Sequence, residues 1–216
     1  GARVDPMRTQ SFRDMAAPSS VKGVQAVLGA MNYVRHFVPN FSVRAKPLTD
    51  LVGGRKKGER ATKFIWTDAA QLAFDDLKQA VTNTTPLAFL DYAKEIFIRC
   101  DSSQFGAGAV IFQFDEQGRE HPIAYASRKY TLAERNYNTF QQEASVIVWA
   151  LEKFAEFFQG HAVTVQSDHR NLAWIKRSAM PQLTRWRIRL QDFDFKIEYL
   201  PGPQQVCADG LSRLGC

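Results

Sequence analysis

Val24, Val27, Leu28, Met31, Val34 and Val38 recur at spacings of three and four. That period puts them on one face of a helix, which Pro39 should stop. Before it, residues 1–17 show no strong period, and Pro18-Ser19-Ser20 reads as a loop ending in an N-cap. Pro47-Leu48-Thr49-Asp50-Leu51 predicts a second, short helix, and Gly53 to Arg60 a flexible basic loop. Thr67 can cap a further helix that carries Ala70, Phe74, Leu77 and Val81 on one face, and Pro86 closes the section. Residues 1–90 therefore read as a small all-helical unit.

The period then changes. Glu95 to Asp101, Phe105 to Phe114 and Arg119 to Arg128 are strand patterns, the last two joined by the turn Asp115-Glu116-Gln117-Gly118. Phe140, Ala144, Ile147, Leu151, Phe154 and Phe158 alternate at four and three, the stripe of a long helix that Gly160 ends. Ala162 to Asp168 is a fourth strand, Leu183, Trp186 and Leu190 mark a helix, and Phe193 to Leu200 alternates as a fifth strand. A turn at Pro201-Gly202-Pro203 precedes a last short helix from Val206 to Leu214. Three strands followed by alternating helices and strands predict an α/β fold, a mixed five-stranded sheet with flanking helices, over residues 91–216.

With 45% hydrophobic and 23% charged residues among 216, the chain is neither a disordered tail, a coiled-coil rod nor a collagen-like polymer. Its charge sharpens the division by pattern. The formal net charge is +6; residues 1–90 hold 13 Lys and Arg against 7 Asp and Glu, while residues 91–216 balance at 15 and 15. The excess belongs to the helical unit and hints at a polyanionic partner. No run of about 18 apolar residues exists, so no membrane partner is expected, and no signal-peptide core is seen at the N-terminus. Cys100, Cys207 and Cys216 are odd in number and lack Cys-x-x-Cys spacing, which argues against a disulfide framework or a zinc site and for a reducing compartment.

Four acids sit at element ends. Asp101 closes the first strand of the second unit and Asp168 the fourth; if these are parallel neighbours, both carboxylates emerge at one edge. Glu143 borders the apolar stripe of the long helix, facing the sheet, and Asp209 opens the last helix. Each alone also reads as a solvated or capping acid. Together they would repel, and divalent cations relieve that conflict. Hard oxygen ligands suit Mg²⁺ or Mn²⁺, and two ions roughly 3.5–4 Å apart can clamp the attacking and leaving oxygens of a phosphodiester.

The surrounding residues resemble a known family. Cys100-Asp101-Ser102-Ser103-Gln104-Phe105-Gly106-Ala107-Gly108-Ala109-Val110 resembles the Asp-Ala-Ser…Gly-x-Gly-Ala-Val signature of the ribonuclease H domain of gypsy-type LTR retrotransposons. Pro122 to Arg128 is similar to its next strand, Gln142-Glu143-Ala144 through Phe154 to its catalytic helix, and Ser167-Asp168-His169-Arg170-Asn171-Leu172 to its Thr-Asp-His segment. Gln182 to Trp186 and Pro201-Gly202…Val206-Cys207-Ala208-Asp209-Gly210-Leu211-Ser212-Arg213 resemble its closing motifs. Upstream, Leu28 to Phe41, Pro47-Leu48 and Phe64 to Lys78 are similar to the thumb of the same reverse transcriptases. Ser102 stands where Ala is usual, and Tyr199 to Ala208 lacks the loop His of many relatives.

The resemblance implies a thumb-like helical domain at 1–90 and a ribonuclease H domain at 91–216. It implies that Asp101, Glu143, Asp168 and Asp209 are catalytic and hold two Mg²⁺ ions, with Mn²⁺ as an alternative. The implied reaction is endonucleolytic hydrolysis of the RNA strand of RNA/DNA hybrids, leaving a 3′-hydroxyl and a 5′-phosphate. No Tyr-x-Asp-Asp segment is present, so no polymerase activity is expected; the polymerase palm and fingers are an implied partner. The implied location is intracellular, in a cytoplasmic virus-like particle or the nucleus. Arg170, Lys176, Arg177, Arg185, Arg187 and Arg189 crowd a span without any acid, which reads as a solvated surface or as phosphate contacts beside Asp168. Ser103, Gln104 and Gln142 are the polar candidates for recognising the 2′-hydroxyl of RNA. His169 reads as structural or as a substrate contact, and the basic loop at 55–63 as tracking the duplex or as solvated. The rival reading is a non-catalytic nucleic-acid-binding or assembly module; it predicts loss of carboxylates, and all four are present.

Overall fold

The computed structural model describes residues 1, 2, 4, 6–53, 64–84, 86–103, 106–168 and 181–201. The helical unit holds α1 (Pro6–Arg13), α2 (Val21–Tyr33), a 3₁₀ turn (Arg35–Phe37), α3 (Phe41–Arg44), α4 (Lys46–Val52) and α5 (Asp68–Thr82). The expected caps form. Ser20 Oγ accepts from the Gly23 amide at 3.1 Å, and Thr67 Oγ1 from the Ala70 amide at 3.2 Å. The periodic residues close a core in which Val24, Met31, Leu48, Phe74, Leu77 and Val81 are buried. Two expectations need correction. The segment 1–17 contains α1, whose pattern was weak because few apolar residues mark it; Phe12 supplies its buried anchor. The α2 helix stops at Tyr33, and Val34 and Val38 reach the core from the tighter turn beyond it rather than from the helix.

The second unit contains β1 (Ile96–Ser102), β2 (Gly106–Phe114), β3 (Glu120–Lys129), α6 (Leu132–Arg135), α7 (Thr139–Phe158), β4 (Val163–Ser167), α8 (Pro181–Arg189) and β5 (Phe195–Tyr199). The strands form one mixed sheet in the order β3-β2-β1-β4-β5. β1 is antiparallel to β2 and parallel to β4, and β4 is parallel to β5. The expected α/β architecture is thus present, with strand ends shifted by one or two residues. α6 was not foreseen; its Thr131–Glu134 capping box fixes it. The last expected helix, Val206 to Leu214, and the turn at 201–203 beyond Pro201 lie outside the described residues.

Alternation divides the sheet into two faces. Ile96, Ile98 and Cys100 of β1 share a core with Ala144, Ile147, Leu151, Phe154 and Phe158 of α7. Phe97, Arg99 and Asp101 point to the opposite side. The helical unit packs there, its 3₁₀ turn against β3 and α3 against β2 and β3. No described helix is long and apolar enough to cross a membrane.

Candidate active site

The parallel pairing of β1 and β4 brings their C-terminal ends to one edge of the sheet. Asp101 is the penultimate residue of β1, and Asp168 directly follows β4; both are exposed. Glu143 lies in the second turn of α7 and is only 8% exposed, as its place beside the apolar stripe predicts. Three of the four expected acids therefore lie toward this edge, Asp101 and Asp168 at its strand ends and Glu143 on α7. Asp209 lies outside the described residues.

Electrostatics registers the arrangement. Burial, followed by the negative charges of Asp168 and Asp101, pushes the Glu143 carboxyl up to about 7. A hydrogen bond from Ser102 works in the opposite direction. Burial and the charges of Glu143 and Asp101 also push the Cys100 thiol up, so it is an inert core group.

Ser102 occupies the hub of a small network. Its hydroxyl lies 2.7 Å from the Tyr130 hydroxyl. A serine has one proton to give. When Ser102 donates to Glu143, the Tyr130 hydroxyl donates to Ser102. Ser102 thus ties the buried acid to Tyr130. On the other face, Asn40 Nδ2 donates to Asp101 Oδ2 at 3.2 Å. Neither contact was foreseen from sequence. Asn40 could have been flagged as a left-handed-tolerant residue before a short helix, but nothing in the pattern named its partner.

The donor set is chemically suited to a hard divalent cation: all-oxygen, and in mutual repulsion that a cation would relieve. Among the described residues, no group of three His, Cys, Asp or Glu side chains is drawn together closely enough to hold an ion by itself. The Asp101 carboxylate is engaged with Asn40 on the face away from α7.

The expected substrate contacts divide. Arg185 is exposed on α8. Arg189 is half exposed, and its guanidinium grips Glu152 of α7, with Nε 2.7 Å from Oε1. Ser103 is folded into a turn, its hydroxyl donating to the Gly106 carbonyl at 2.9 Å. Gln142 donates to the Glu134 carbonyl at 3.2 Å. Gln104, His169, Arg170, Lys176 and Arg177 lie outside the described residues.

Residues 91–193 match the family described as the RNase H-like domain found in reverse transcriptase. The chain is 34% identical to the Retrovirus-related Pol polyprotein from transposon opus of Drosophila melanogaster, over 99% of its own length and 22% of that protein. It is 30% identical to the transposon Tf2-3 polyprotein of Schizosaccharomyces pombe, over 91% of its own length and 15% of that protein. The chain thus spans about a fifth of the curated relatives it matches. The foamy viral protease-reverse transcriptase in complex with double-stranded DNA has a similar fold, with TM-score 0.74, 21% identity and coverage of 92% of this chain and 35% of that one. The same protein in complex with RNA/DNA hybrid gives TM-score 0.74, 22% identity, and coverage of 94% and 28%. The sheet and its helices therefore form an RNase H-like fold, in a chain similar to part of the Pol polyproteins of LTR retrotransposons.

Proposed function

We propose that this RNase H-like domain hydrolyses the RNA strand of RNA/DNA hybrids, as the thumb and ribonuclease H portion of a gypsy-type reverse transcriptase. The observation that supports the reading is that the parallel pairing of β1 and β4 sets Asp101 and Asp168 at one sheet edge, while the Glu143 carboxyl on α7 is pushed up by burial and then by their two charges. Their partners would be Asp209 and two Mg²⁺ ions, with Mn²⁺ as a substitute. The ions, when bound, supply an activated water and neutralise charge on the leaving oxygen.

The chain's own groups then have separate tasks. Asp101 and Asp168 present exposed carboxylates at the strand ends. Glu143 is held from below by Ser102, which Tyr130 braces. Arg185, exposed on α8, would meet a backbone phosphate. α8 is itself held on α7 by Leu183 and Trp186 and by the Gln141–Gln182 hydrogen bond of 3.0 Å. The polymerase palm and fingers of the same polyprotein would present the hybrid.

The test uses a labelled hybrid with Mg²⁺ or with chelator. Asp101→Asn and Glu143→Gln each lower metal-dependent cleavage by ~10²–10³-fold, the scale on which removing one electrostatic group at a reacting centre acts. Hybrid affinity in chelator stays within about twofold of the parent, because phosphate contacts supply it. Undiminished cleavage in either variant refutes the assignment.

A further inference from the structure

Asp101, Gly108 and Ser127 lie side by side across β1, β2 and β3, each pair in register. The corner Asn40-Phe41-Ser42 of the helical unit lies along this row. At one end the Ser42 amide donates to Ser127 Oγ at 2.9 Å, and its hydroxyl donates to the Ser127 carbonyl at 3.0 Å. Arg35 reinforces that end, its guanidinium 2.6 Å from the same carbonyl. At the other end Asn40 reaches Asp101.

Three features show that Asn40 is built for this contact. Its backbone is left-handed, φ 52° and ψ 30°, a conformation that Asn tolerates better than most residues. It stands at the N-cap of α3, yet its side chain makes no capping hydrogen bond. Its Oδ1 accepts no amide of its own helix, and its side-chain NH₂ donates to Asp101. Gly108 clears the space: a Cβ there would lie 1.9 Å from Asn40 Oδ1. The missing side chain of β2 is the seat of the Asn40 amide.

We propose that Asn40 is a positioning residue for Asp101, by which the helical unit completes the site of the RNase H-like domain. The proposal rests on the nuclease reading above. A carboxylate has about four lone-pair sites, so a bond from Asn40 orients the group without exhausting its capacity to meet a cation. Ligating carboxylates are ordinarily fixed by such outer hydrogen bonds, and their loss costs 10–100-fold in metal affinity or activity.

Asn40→Gly tests this, because glycine keeps the left-handed backbone and deletes only the amide. Mn²⁺ binding to the full chain, read from the electron paramagnetic resonance of free Mn²⁺, weakens at least ~10-fold. With labelled hybrid, kcat falls ~10–100-fold, while KM changes less than about twofold because phosphate contacts are untouched. Gly108→Ala, which displaces the amide from the opposite side, produces the same pair of losses. Ser42→Ala lowers the melting temperature through the same interface but leaves Mn²⁺ affinity and kcat at parental values. Parental binding and turnover in Asn40→Gly overturn the positioning role alone. So does an equal loss in Ser42→Ala, which would assign the effect to docking in general. A parent chain that neither binds Mn²⁺ nor cleaves overturns the nuclease reading and this proposal with it.

Discussion

At the residue scale, Glu143 exposes the electrostatic tension of the site. Its carboxyl is raised from 4.5 to about 7 by burial and by Asp168 and Asp101. A raised acid binds its proton more tightly in the folded state than in the unfolded chain. Folded protein therefore holds more protons between these two values, and stability falls as pH rises through that window. The cost is complete above about 7 and amounts to about 2 kcal/mol after allowance for solvent screening. Urea unfolding in chelator, followed from about pH 4 to about pH 8, should show the parent losing this amount relative to Glu143→Gln. Excess Mg²⁺ should recover it at the alkaline end, since an ion bound only to the folded state stabilises it. A parent–variant difference that does not change with pH would mean that Glu143 titrates as a solvated acid. The positions of Asp101, Glu143 and Asp168 were legible because strand ends and helix faces follow from periodicity. The roles of Ser102, Tyr130 and Asn40 were not, because a hydrogen bond between distant small side chains leaves no period in the sequence. The Arg189–Glu152 pair was hidden for the same reason: the two residues stand on different helices.

At the element scale, long periodic segments were readable and short ones were not. α7 announces itself over five successive spacings, and its end falls where expected, with Gln159 and Gly160 both at positive φ. α3 has four residues and one buried anchor, Phe41, too few to show a period. The sheet has a second tie that its apolar pattern conceals. Arg99 of β1 is 6% exposed, and its guanidinium lies 4.7 Å from the ring centre of Phe112. It makes two bonds to Glu120 of β3, at 2.9 and 2.6 Å, and one to Gln166 of β4 at 2.8 Å. One side chain thus links three strands besides its own. Glu120→Ala leaves that cation buried without its counter-charge and should cost about 3 kcal/mol. Adding Arg99→Met should restore much of it, since an apolar side chain needs no partner there. A double-mutant cycle in urea measures the coupling, and additive losses would show that the pair contributes no mutual stabilisation.

At the scale of the whole molecule, the charge split acquires a location. Several cations of the helical unit are held internally. Arg44 pairs with Asp76 at 2.9 Å, Lys46 is bound to Asp50, and Lys78 donates to the Met15 carbonyl at 2.7 Å. Arg35 is committed to Ser127 across the junction. The union of the two units was invisible in sequence, because small polar residues rather than an apolar stripe carry the contacts at Ser42, Ser127 and Asn40. The excess left for a polyanion concentrates in Arg55, Lys56, Lys57, Arg60 and Lys63, within a stretch that has Glu59 as its single acid. If these cations grip a duplex, they do so through phosphates, and each released counterion contributes to the salt dependence. Replacing Arg55, Lys56 and Lys57 with Gln should reduce the slope of log affinity against log salt by about 2–3. The loss should be equal for an RNA/DNA hybrid and for duplex DNA, because phosphate contacts carry no sequence or sugar code. Cleavage at saturating hybrid should be unchanged, since the carboxylate edge is untouched. Fluorescence anisotropy across a salt series separates the outcomes. An unaltered slope would assign the excess charge to solubility, and a loss confined to the hybrid would mean that this segment reads the 2′-hydroxyl.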